Sequence, residues 1–334
     1  MTFSASLPAD LAVIIVTWNV RDLVLDALRT LTADLATTAL DWRVTVVDNA
    51  SADGTAAAVR AADFDGVQVI ESDVNLGFGA GNNLALRALG FSDSPARAHG
   101  APRAVFLLNP DTLVQAGAIA ALYDALFSLP YAGLVGARLT YADGSLQHSA
   151  FRFPGLTQIA LDLLPLPPAL HSRLYQSALN GRYPRRYYAA DQPPFAVEHT
   201  LGAAMMVRRE AIEAAGLFDE SYFMYAEELD WSMRIRRAGW EIYLVPRAHI
   251  THLEGQSARQ VRPQSIMHLW RSRLRFYRKF YTPLRAWLAE QLIRLGMRFQ
   301  IGKARRMAAH GALSAAECEA LIDAYREVMR LCRR

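Results

Sequence analysis

Polar and apolar positions in the first half of the chain fall into blocks. Leu11-Ala12-Val13-Ile14-Ile15-Val16-Thr17 is continuously apolar and β-branched, the pattern of a strand buried on both faces. Val44-Thr45-Val46-Val47, Val67-Gln68-Val69-Ile70 and Ala104-Val105-Phe106-Leu107-Leu108 predict three more strands. Helical spacing follows each: Leu23, Leu28 and Leu31 after a cap expected at Asn19, an alanine-rich stretch over 55–62, a helix behind the glycines near 80, and another over 115–127. Such alternation predicts an α/β fold with a mostly parallel sheet covered by helices on both faces.

The second half is less regular. Proline pairs at 167–168 and 193–194 interrupt residues 141–199, and Arg182-Tyr183-Pro184-Arg185-Arg186-Tyr187-Tyr188 reads as a basic, aromatic loop. Order resumes at 201–209, followed by a helix to about Gly216, a helix opening at Glu227-Glu228-Leu229-Asp230 and stopping at Gly239, and a strand over 240–245. Beyond residue 256, Trp270, Leu274, Trp287, Leu288 and Leu295 interleave with arginines at helical spacing. This predicts two parts, a body over 1–257 and a basic amphipathic helical region over 258–334.

Charge sharpens that division. The net +4 of the 334 residues conceals 19 Lys+Arg against 27 Asp+Glu in 1–255, and 17 against 5 in 256–334. A basic region rich in Trp, Phe and Leu reads either as solvated helices packed on the body or as an interfacial helix pair suited to an anionic membrane surface, and no nucleic-acid motif accompanies it. The two cysteines, Cys318 and Cys332, cannot staple a fold of this size, which fits a reducing, cytoplasmic setting. Met1 to Asp10 does not read as a signal peptide, and no apolar window of membrane-spanning length occurs.

Candidate chemistry gathers at the strand ends, where open α/β sheets bind ligands. Thr17 and Asn19, Asp48 and Asn49, and Asn109 and Asp111 all occupy that edge. Asp111 supplies a hard oxygen for Mg²⁺ or Mn²⁺. The cluster Gly77-Phe78-Gly79-Ala80-Gly81 lacks the dinucleotide spacing, and the first strand–helix turn has no glycine, which excludes a Rossmann dehydrogenase. Its glycines would let the backbone approach a phosphate or sugar. His249 and His252 follow the last strand as ligand candidates.

Taken in order, VIIVTWN, VVDNASADGT, NLGFGAGNN, LLNPDT, GAAMMVRR, GLFDE, FMYAEELDWSMR and HLEGQS resemble an inverting family-2 glycosyltransferase of the GT-A fold, most similar to its rhamnosyltransferase-like branch. The match spans about 11–257. The resemblance implies a nucleotide-sugar pocket lined by Thr17, Trp18 and Asn19, with Asp48 accepting from the base. It implies that Asn75, Gly77 and Gly81 shape the diphosphate and sugar side. Asn109-Pro110-Asp111 stands where relatives carry Asp-x-Asp, so Asp111 and His252 would hold Mg²⁺ or Mn²⁺, with His249 the lesser candidate. Glu228 falls at the catalytic base, with Glu227 and Asp230 as alternatives. Implied partners are a dTDP-rhamnose donor, or a UDP- or GDP-sugar, and a lipid-linked glycan acceptor at the inner face of the cell membrane. The competing reading is a non-catalytic nucleotide- or nucleic-acid-binding protein with a basic tail.

Overall fold

In the structure, a computed structural model that describes residues 9–253 and 262–332, the four apolar runs form one side of a ten-stranded sheet. In chain order the elements begin β1 (Leu11–Thr17), α1 (Arg21–Leu35), β2 (Trp42–Asp48), α2 (Thr55–Ala61), β3 (Val67–Glu71), α3 (Gly77–Ala88), β4 (Ala104–Leu108), β5 (Thr112–Val114) and α4 (Ala118–Ser128). There follow β6 (Ala132–Thr140), β7 (Leu146–Gln147), β8 (Ala150–Phe151), α5 (Leu156–Leu163), α6 (Pro168–Tyr175), β9 (Phe195–Val197), β10 (His199–Thr200), β11 (Ala204–Arg208) and α7 (Arg209–Ala215). The chain continues through α8 (Glu227–Arg237), β12 (Glu241–His252), α9 (Arg262–Phe280), α10 (Pro283–Ala309) and α11 (Ala315–Leu331).

The described residues fall into two units, one drawn from 1–151, 185–223 and 227–257, the other from 152–184, 224–226 and 258–334. The boundary expected at 257/258 lies outside the described residues. Residues 152–184 cluster with the C-terminal helices because α5 packs on α10.

In the first unit the sheet order is β3-β2-β1-β4-β11-β6-β12-β5. β3, β2, β1 and β4 are mutually parallel, as are β6 and β12, while β11 runs antiparallel between β4 and β6. The chain winds outward from β1 through β2 to β3, then returns to place β4 on the other side of β1. Strand order therefore reverses between β1 and β4, which opens a crevice at their carboxyl ends. Val13, Ile15, Val46 and Phe106 are fully buried with Leu28 and Leu31 of α1 and Leu122 of α4, so continuous apolar runs are what this sheet requires.

Two local expectations differ. The helix expected over 115–127 starts three residues later: Thr112–Val114 forms a strand paired with β12, and α4 begins at Ala118. The reason is Asp34 of α1, buried, whose carboxylate accepts from Gly117 N at 2.5 Å and Ile119 N at 2.8 Å and so caps α4 from outside its own sequence. The last strand runs past Val245 to His252, its register shifting between Val245 and His249.

The second unit is helical. Trp270, Leu274, Phe276 and Tyr277 of α9, Ile293 and Met297 of α10, and Ile322 and Val328 of α11 are buried within it. Ser314 and Glu317 form a capping box at the start of α11, which the periodicity had not delimited. Among the described residues no helix is long and apolar enough to cross a membrane.

Candidate functional site

The ends of β1 and β2 are stitched together by side chains. Register places Thr17 beside Asp48. Asn19 does not cap α1: its backbone is left-handed, with φ 52°, its N–H donates to Ser51 Oγ at 2.9 Å, and its Oδ1 accepts from Ala52 N at 2.7 Å. The free N–H at the start of α1, that of Arg21, instead donates to Asp53 Oδ2 at 3.0 Å. Asn tolerates this backbone better than bulkier residues do, so Asn19 joins two loops. Ser51 Oγ in turn donates to Asp48 Oδ1. Asp48 is buried and held through one carboxylate oxygen, and Thr17 Oγ1 beside it is buried with no hydrogen-bond partner among the described residues. Trp18 is half-buried at the same turn.

The glycine cluster has a packing reason. Gly77 has φ 81°, and a β-carbon there would overlap the Phe223 carbonyl, which accepts from Phe78 N at 3.1 Å. A β-carbon on Gly81 would stand 2.8 Å from Val16 Cγ1 and 3.2 Å from Asn49 Nδ2. One on Gly79 would touch Phe218 and Glu227. These glycines let α3 press against β1 and the 218–227 segment. Asn75 Oδ1 accepts from Gly77 N at 2.9 Å, and Asn49 Nδ2 donates to Gly77 O at 3.0 Å, which ties the cluster to the Asp48 loop.

On the other side of the crevice, Asn109-Pro110-Asp111 leaves β4 and turns into β5. Pairing of β5 with β12 sets Thr112 opposite His252, and Leu253 N donates to Asp111 O at 2.8 Å. The side chains then meet: His252 Nε2 lies 3.3 Å from Asp111 Oδ1, both largely buried. His252 Nδ1 faces Gln147 Oε1 at 3.0 Å. An amide oxygen only accepts, so Nδ1 carries a hydrogen toward Gln147, and Nε2 is the ring nitrogen that faces the carboxylate. A ring nitrogen and a carboxylate oxygen this close can share a divalent metal ion. Among the described residues no group of three or more His, Cys, Asp or Glu could hold a metal. One carboxylate and one imidazole suit an ion whose other ligands are phosphate oxygens, the usual habit of Mg²⁺ and Mn²⁺.

His249 falls on the opposite face of β12 by strand alternation. Its Nε2 is 2.9 Å from Thr140 Oγ1, and burial, aided by Arg138, lowers its pKa. That position separates it from Asp111. Glu254, Gly255, Gln256 and Ser257, the rest of the HLEGQS motif, lie outside the described residues. Gln147 carried no signal in the sequence, since it reaches His252 only through the pairing of β7 with β6.

The three acids opening α8 have unlike surroundings. Asp230 is fully buried and accepts from Arg234 Nε at 2.7 Å; Arg234 also donates to Leu217 O at 2.7 Å. Glu227 is buried against α3. Only Glu228 is half-exposed, and its chain lies along Gly202, where a β-carbon would sit 3.6 Å from Glu228 Cγ. The next residue, Ala203, accepts from Asn109 N at 2.9 Å, so the turn leading into β11 lies between Glu228 and the Asp111 turn. Just before α8, Tyr225 and Ala226 both adopt positive φ, 69° and 64°, which is strain of the kind often concentrated at functional sites.

An acid–imidazole pair and a half-exposed glutamate at a helix start thus gather at the strand ends of a fold of GT-A type. The chain belongs to glycosyltransferase like family 2, whose model matches residues 8–278, and it is a glycosyltransferase. It is 33% identical over 215 residues, 64% of this chain and 67% of the relative, to the N-acetylglucosaminyl-diphospho-decaprenol L-rhamnosyltransferase of Mycobacterium tuberculosis. A low-salt glycan biosynthesis hexosyltransferase of Haloferax volcanii is 28% identical over 52% of this chain and 47% of its own. The fold matches a mannosyltransferase from Pyrobaculum calidifontis, solved with GDP-Man and Mn²⁺, with TM-score 0.54, 19% identity, and coverage of 98% of this chain and 85% of that one. The non-enzymatic reading does not stand beside that membership.

Proposed function

We propose that the protein transfers rhamnose from dTDP-rhamnose to a hydroxyl of a lipid-linked glycan, with inversion at the anomeric carbon. The observation that carries this reading is the Asp111–His252 pair on one wall of the crevice, with Glu228 the half-exposed acid at the start of α8. The named activity of the 33% identical relative, a rhamnosyltransferase acting on a diphospho-decaprenol sugar, supports the choice of donor and acceptor. Such an acceptor is membrane-held, which favours a place at the inner face of the membrane.

Asp48 would accept the imide N–H of the base through the oxygen that Ser51 does not occupy, with Thr17, Trp18 and Asn19 around the nucleoside. Asn75, Gly77 and Gly81 would hold the backbone on the sugar side, and Asn109 the turn before Asp111. Asp111 and His252 would bind Mn²⁺ or Mg²⁺; the imidazole nitrogen makes Mn²⁺ the better match. When bound, the ion neutralises charge on the departing diphosphate. Gln147 holds the imidazole so that Nε2 faces that ion. Glu228 removes the proton of the acceptor hydroxyl as its oxygen bonds the anomeric carbon and the C–O bond to the diphosphate breaks. Asp230 is committed to Arg234 and Glu227 to the packing against α3, which leaves Glu228 as the base. Incubating the protein with a panel of nucleotide sugars and a polyprenyl-diphosphate N-acetylglucosamine tests the reading. The expected product comes from dTDP-rhamnose, its anomeric configuration opposite to the donor's; a retained configuration, or transfer from another donor alone, overturns it.

A further inference from the structure

The longest helix, α10, carries apolar side chains on two opposite faces. One face, with Ala289, Ile293 and Met297, is buried against the other helices of its unit. The opposite face presents Leu284, Trp287, Leu288, Leu295 and Phe299, which are 68%, 54%, 38%, 41% and 42% exposed. Successive positions at 284, 288, 295 and 299 share one side of a 3.6-residue helix, so these side chains form a stripe about 22 Å long. Stripes of this kind are rarely left in water without a partner.

Charge identifies the partner. Arg285 and Arg298 border the stripe, and Lys303, Arg305 and Arg306 continue the same helix, all exposed. The single acid on α10, Glu290, is committed to Arg278 at 2.8 Å. A second copy of this chain docking face to face would set these cations against themselves, since a two-fold contact pairs like patches. An anionic lipid surface offers the complement, and a tryptophan beside leucines and arginines suits the boundary between headgroups and acyl chains. We propose that the outward face of α10 lies in the interface of an anionic phospholipid membrane, apolar stripe downward and arginines among the headgroups. The inference deepens the proposed function, because it gives an enzyme with a lipid-held acceptor its own hold on the membrane.

The test is sedimentation of the full chain with phosphatidylcholine vesicles, with and without phosphatidylglycerol, beside the combined variant Trp287→Ser, Leu295→Ser, Phe299→Ser. Hydrolysis of dTDP-rhamnose without acceptor, and the urea midpoint, report on the site and the fold. The wild type should pellet with phosphatidylglycerol vesicles and be released by salt. The variant should bind about tenfold less or weaker, with hydrolysis and urea midpoint unchanged. A wild type that stays in the supernatant, a variant that pellets equally, or a dimer that the variant splits into monomers would each overturn the inference. Loss of membrane binding with hydrolysis intact counts against this inference alone. Vesicle binding without any transfer from dTDP-rhamnose to the lipid-linked acceptor counts against the proposed function alone.

Discussion

The two units spend their apolar residues differently. In the α/β unit the strands bury most of their large apolar side chains, and Thr17, Asp48, Asn109 and Asp111 collect at the strand ends. In the helical unit the core is thinner, and α10 leaves six large apolar side chains exposed, five of them on its outward face beside arginines. A sheet buried on both faces forces chemistry to its edge, whereas a helix can bury one stripe and offer another. The first arrangement suits a reaction site and the second an attachment.

The sharpest way to break this division is to remove its chemistry without touching its packing. Asp111→Ala should lower transfer about 10²–10³-fold, the usual cost of deleting one group that stabilises developing charge, and should cancel any response to added Mn²⁺. Equilibrium dialysis and initial rates would show it; unaltered metal response would move the ion elsewhere. Gly77→Ala should destabilise the α/β unit by about 2–4 kcal/mol, combining left-handed backbone strain with overlap against Phe223. Urea unfolding is the check. For Gln147→Leu, Mn²⁺ affinity should fall about 10–100-fold while turnover at saturating metal recovers, because the residue only orients His252.

In the helical unit, Gly296→Ala should cost about 1–3 kcal/mol, since its new methyl meets Leu163. Leu295→Ser on the outer face should stay within about 0.5 kcal/mol, so the two faces of one helix separate in a single denaturation series. The smallest effect is in pH. Burial depresses the His249 pKa, so the folded chain binds its proton less readily than the unfolded chain does. The stability His249 contributes is present above its unfolded pKa, near 6.5, and lost as pH falls through the folded value. The variant His249→Gln should flatten that part of the stability–pH curve.

Much of this was legible because it is local. The run at 11–17, the strand ends and the acids at 227–230 each announce an element or a charge within a few residues. Asn19 misled, since an Asn before a helix reads as a cap; its partners, Ser51 and Ala52, lie more than 30 residues away. The glycines at 77–81 were legible as a close approach, yet what approaches them includes Phe223 and Val16 of the chain itself. Gln147 could not be found, because only the sheet register brings it to His252. For the same reason the exposed side of α10 was hidden: periodicity marks apolar positions but not which of two stripes is covered.

The most direct test of the central claim is Glu228→Gln, assayed for transfer to the lipid-linked acceptor with donor affinity measured in parallel. Loss of the base should lower transfer about 10²–10⁴-fold while dTDP-rhamnose still binds as it does to the wild type. Turnover near the wild-type rate would contradict the account.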